Sequence, residues 1–141
     1  MKEVIENKSI SELEGWKWEG KIPTKNDGDS EYRFYKLHNK PISELNLSDI
    51  YFLILENSGL SILVPLALKQ LNENIFIEAE YYPGDLLCSL FLINDDPNYW
   101  QSHKEEKQQL INLYKEQKSN LGSVEDQEII QKIKNDYKEF L

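Results

Sequence analysis

The 141-residue sequence holds one cysteine, two histidines and, across its middle, almost no positive charge. A lone Cys88 excludes an internal disulfide, and its neighbours Leu86, Leu87, Leu90 and Phe91 predict a buried, inert thiol of the kind found in a reducing compartment. His38 and His103 each stand beside asparagine or lysine, so exposed side chains are expected, and neither has the i, i+4 partner of a helical zinc site. The alternating acids of a calcium loop, the phosphate-cradling glycine patterns and the G-x-S-x-G nucleophile turn are all missing. No metal, no cofactor and no catalysis are therefore expected. The first residues, MKEVIENKSISELEG, alternate charges where a signal peptide needs an apolar core. The longest uncharged apolar runs, around Leu60 to Leu68 and Leu86 to Ile93, fall short of the ~18 residues that span a bilayer. The expectation is a soluble, cytoplasmic chain with no membrane partner.

What is present is the composition of a folded protein: 40% hydrophobic and 11% aromatic residues, enough for one domain over residues 1–141 and too few for two ordinary ones. The formal charge of −9 argues against direct binding to nucleic acid, whose phosphates need a positive surface, and for a basic protein partner. Between Pro41 and His103 nine acids face one base, Lys69, a charge of −8, while the flanks hold 15 bases and 16 acids. Folding does not require such concentration, which raises repulsion within a compact state. The plainer account is that these acids decorate solvated helix faces.

Helix signals recur along the chain and predict an all-α, compact bundle of about six helices. Ser9 with Glu12, Asn46 with Asp49 and Ser123 with Asp126 are N-terminal capping patterns. The stretch KIPTKNDGDS reads as a surface loop, and a helix from about Ser30 to Leu37 should stop before Pro41. A helix from near Ser61 to Asn74 would carry Pro65 in its first turn, where the missing amide has no helical partner. Pro83 reads as the first residue of the next helix, with Asp85 in its first turn. Leu86, Leu87, Cys88, Leu90, Phe91 and Leu92 surround that helix, so the Pro83 to Leu92 segment should be central and buried. Asp96 and Pro97 should open a helix running to Lys118, and Ile129, Ile130, Ile133, Tyr137 and Phe140 recur at helical spacing on the last one. Trp16, Trp18 and Trp100 are expected in the core or at its edge.

Between the two least charged helical runs lies an acidic, aromatic hinge with Glu78, Glu80, Tyr81, Tyr82 and Asp85 inside eight positions. Tyrosines beside carboxylates offer contact area and charge to a basic partner. Against that, at least one tyrosine is expected to pack under the following helix. Asp95 and Asp96 form a second carboxylate pair and complete the candidate contact set. A competing enzyme reading uses Glu78, Glu80 or Asp85 as acid and base, and a third has an acidic adaptor or regulator of some basic protein.

Three blocks, SISELEG from Ser9 to Gly15, LSDIYFLILENSGLSILVPLALKQLNEN from Leu47 to Asn74 and EAEYYPGDLLCSLFL from Glu78 to Leu92, resemble the immunity proteins of bacterial contact-dependent growth inhibition (CDI) systems, the CdiI family. Members of that family typically have a glycine step before the tyrosine and proline, where this chain reads Glu78, Ala79, Glu80. The resemblance implies a helical protein that binds and neutralises the toxic C-terminal domain of a CdiA-type surface adhesin delivered by a neighbouring cell. Its leucine and proline phrases are scaffold, so discrimination among toxins falls to exposed residues. A cytosolic nuclease suits the chemistry, because a basic cleft built for phosphates attracts an acidic surface.

Overall fold

The computed structural model describes residues 7–15, 17–18, 20–93, 99–138 and 140. Eight helices occur among them: α1 Ile10–Glu14, α2 Asp29–His38, α3 Leu47–Leu55, α4 Leu60–Glu73, α5 Asp85–Phe91, α6 Tyr99–Ser102, α7 Lys104–Lys118 and α8 Val124–Asp136. The only extended pairing among the described residues is an isolated antiparallel bridge between Glu78 and Pro83. The fold is all-α.

Capping chemistry sets most of the starts. Ser9 and Asn46 each accept from the third helical amide while Glu12 and Asp49 reach back to the cap amide, and Ser123 Oγ accepts from Asp126 N at 3.0 Å. The α3–α4 turn closes through Asn57, the one non-glycine residue with positive φ (54°) among those described. There Ser58 N donates to Leu53 O and Asn57 N to Ile54 O, a Schellman closure that satisfies two end carbonyls of α3.

α4 buries Leu60, Leu63, Val64, Ala67, Leu68 and Leu71, a stripe at three- and four-residue steps. α5 packs against α3 and α4, and all seven of its residues are buried. It is the central helix expected from the sequence, but the two ends of the expected segment, Pro83 and Leu92, are exposed. One hydrophobic cluster joins it to side chains from Ile10 to Ile133. Gln117 of α7 finishes α4 by donating to Leu71 O (2.8 Å) and Asn72 O (3.3 Å) and accepting from Ile75 N (2.8 Å).

Several boundaries differ from expectation, each for a local reason. Pro65 lies in the second turn of α4, not the first, because the helix begins at Leu60; the orphaned carbonyl is that of Ser61, and both residues are exposed, so the break falls on the solvent side of the helix. Pro83 precedes the cap residue Gly84 and pairs with Glu78, so α5 starts two residues later, at Asp85. The helix expected to run unbroken to Lys118 is interrupted at His103 (φ −130°, ψ 52°). The His103 ring nitrogen Nδ1 lies 2.9 Å from Tyr99 O, occupying the carbonyl that the next helical amide would use, and its ring stacks on Tyr99 at 3.8 Å. This break, with the short α1, makes eight helices of about six.

Candidate partner-binding surface

The loop from Ile77 to Pro83 is built around a buried charge. Asp85, 0% exposed, sits at the first position of α5, where the positive end of the helix favours a carboxylate. Its Oδ1 accepts from Ala79 N at 2.7 Å, and its Oδ2 accepts from Glu80 N at 2.9 Å, Tyr81 N at 2.8 Å and Tyr82 N at 3.5 Å. Gly84 N closes the loop onto Phe76 O at 3.0 Å. Four successive amides thus converge on one carboxylate, which leaves the Glu80 and Tyr81 side chains exposed while Ala79 packs against the core. Gly84 adopts φ +89°, a left-handed conformation that side chains resist, and an added Cβ would come within 3.3 Å of Ile129 in α8.

The expected contact residues therefore separate. Glu78 and Glu80 are exposed, as are Tyr81 (69%) and Tyr82 (39%). Asp85 is not available to a partner: it holds the loop from within, and its place in the candidate contact set is corrected on that ground. Asp95, Asp96 and the helix start at Pro97 lie outside the described residues, as does Trp16. Neither tyrosine joins the core, contrary to expectation. Tyr81 sets its ring edgewise, 5.8 Å away, against the buried Tyr51. Tyr82 exposes its ring but turns its hydroxyl inward toward Cys88, and burial, then Cys88 itself, pushes that hydroxyl far up. Burial also raises the Tyr51 hydroxyl, with the charge of Asp85 next in weight.

Electrostatics soften the picture given by the sequence. Of the nine central acids, Asp85 is enclosed by amides, and Asp49 is buried beside Arg33 (3.4 Å) and Lys40 (3.8 Å). Glu80 lies 3.6 Å from the other guanidinium nitrogen of Arg33, whose cation also covers the Phe52 ring at 4.5 Å. Arg33, outside the acidic interval in sequence, thus ties α2 to α3 and to the loop. Nothing in the spacing of residues marks it. Glu44, Glu56, Glu73, Glu78 and Glu80 are the central acids that reach the surface among the described residues.

The histidines also differ from expectation. His38 is buried at 0% exposure: Nδ1 donates to Phe34 O at 2.7 Å, which leaves Nε2 to accept from Ser58 Oγ at 2.6 Å. Burial lowers its pKa, opposed by the Phe34 carbonyl and by Glu14. His103 is half-buried against Tyr99. Cys88 is buried as expected, and burial raises its thiol pKa despite the nearby Tyr82 hydroxyl and the Lys132 charge. Trp100 is a core residue donating to Leu90 O at 3.2 Å, and Trp18 lies at the core edge against Phe34 and Tyr35.

Glu78 and Glu80 stand on an outer loop and Asp85 is committed to amides, so the three do not converge on a reacting centre. No group of three or more His, Cys, Asp or Glu residues arranged to hold a metal occurs among the described residues, and no helix there is long and apolar enough to cross a membrane. Fold and surface together define a helical scaffold that displays a fixed acidic and aromatic loop. The family described as CDI immunity proteins matches residues 12–110, from α1 into α7, and the chain belongs to that family. The comparisons find no curated protein and no solved structure that matches. α8 lies beyond the matched segment.

Proposed function

We propose that this immunity protein is a single cytoplasmic domain that binds the C-terminal toxin domain of its cognate CdiA-type adhesin, a cytosolic nuclease, and covers the basic cleft through which the toxin reaches nucleic acid. No chemistry is performed on the toxin. The observation that carries this reading is the loop held by Asp85: Glu78, Glu80, Tyr81 and Tyr82 project from a backbone already fixed by four hydrogen bonds. A pre-ordered loop loses little conformational freedom on binding, and exposed tyrosines supply rigid contact area. Its carboxylates attract a surface shaped for phosphates, with a range limited to about 8 Å at physiological salt, so they speed encounter more than they set final affinity. Asp95 and Asp96 extend the proposed contact set.

Co-expression with the toxin domain encoded beside it tests the proposal. Cells should survive, the two chains should co-elute as one complex, and nucleic acid should remain intact. Killing at the level of toxin alone, with no complex on gel filtration, would contradict it.

A further inference from the structure

A cleft adjoins the acidic loop on the side of α8. Tyr82 and Pro83 form one wall and Glu125, Glu128, Ile129 and Lys132 the other, around about 330 Å³. The walls are joined, since Ile129 packs beside Gly84 and Lys132 Nζ lies 5.7 Å from the centre of the Tyr82 ring. Lys132 stands four residues after Glu128, the spacing of a helical ion pair, yet it is directed over the aromatic ring. Glu125 and Glu128, both exposed and one turn apart, consequently have no ion-pair partner among the described residues.

We propose that this cleft is the second half of the toxin contact and receives one long basic side chain, an arginine or lysine, from the margin of the toxin's basic face. The inference rests on the reading of the neighbouring loop as the contact surface. A basic side chain suits both parts of the cleft. Its apolar stem lies along Ile129 and Pro83, and its charged head meets the two free carboxylates, while Lys132 keeps its place over the Tyr82 ring. Tyr82 belongs to both halves, so loop and cleft form one continuous surface with an aromatic centre and acidic margins, the arrangement that a basic partner recognises.

The test measures affinity of the full chain for the toxin domain encoded beside it, at low and physiological salt. The Glu125→Gln/Glu128→Gln double variant should bind about tenfold more weakly, with an unchanged melting temperature and a reduced salt dependence. Each single variant should lose about threefold, and Glu116→Gln on α7, exposed and outside the lining of the cleft, should lose nothing. Wild-type affinity in the double variant, with weakened binding in Glu78→Gln/Glu80→Gln, overturns the cleft and leaves the loop. Wild-type affinity in both double variants, or no binding by the unaltered chain, overturns both.

Discussion

Glu80 and Asp85 carry the same charge five residues apart and do opposite things. Asp85 is wholly enclosed, accepts four backbone amides and faces inward; Glu80 lends one of those amides and projects its own carboxylate to the surface beside Arg33. A buried carboxylate is tolerable only when hydrogen-bond donors replace its water, and the loop supplies them by wrapping around it. The outer acids need no such compensation. An acidic phrase that reads as one patch is thus an internal post and an external face, and the post makes the face rigid.

Removing the post should have the largest effect. Asp85→Ala leaves four amides without their acceptor and should cost on the order of 3 kcal/mol of stability in urea unfolding. Toxin affinity should fall as well, because the loop then has no fixed shape. Stability within 0.5 kcal/mol of wild type would show that the loop is ordered by something else.

Gly84→Ala should cost about 1–2 kcal/mol, since its φ of +89° is strained for any side chain and the new methyl meets Ile129 at 3.3 Å. Here α5 should stay folded while the loop shifts against α8, so toxin binding should suffer more than melting. Arg33→Ala separates the two kinds of acid differently. It withdraws a cation from the buried Asp49 and the exposed Glu80 together, so it should destabilise the fold by about 1 kcal/mol. At low salt it should also speed association with a basic toxin, the surface being more acidic.

The smallest effect concerns pH. His38 is neutral and buried, with burial holding its folded pKa below the ordinary value of 6.5 against the opposing effects of the Phe34 carbonyl and Glu14. The unfolded chain therefore takes up a proton first as pH falls through 6.5, and stability declines below that point by no more than about 1.4 kcal/mol per pH unit until the folded state also protonates. Above pH 6.5 the group contributes no slope. Comparing urea midpoints of wild type and His38→Gln at pH 7.5 and 5.5 isolates the effect, and parallel behaviour of the two proteins would contradict it.

Much of this arrangement is legible in the sequence. The caps at Ser9, Asn46 and Ser123, the apolar surround of α5 and the burial of Cys88 all follow from local chemistry that tertiary packing did not override. The same chemistry misleads where a residue answers to a distant partner. A histidine next to asparagine reads as exposed, but His38 finds Ser58 twenty positions away. Asp85 reads as a helix-start acid available to a partner, and only the folded chain reveals the four amides it collects. Arg33 and the α8 carboxylates carry no pattern at all, because their importance comes from what the bundle places beside them.

The most direct test of the account is the rate at which this protein associates with its toxin domain, measured by stopped flow across a range of ionic strengths, for wild type and for Glu78→Lys/Glu80→Lys. Charge reversal at the exposed loop should slow association about tenfold or more at low salt and flatten its salt dependence, with the chain still folded and only a small drop in melting temperature from the lost Arg33–Glu80 contact. Equal rates and equal salt slopes for the two proteins would contradict the claim that the face held up by Asp85 is the one that meets the toxin.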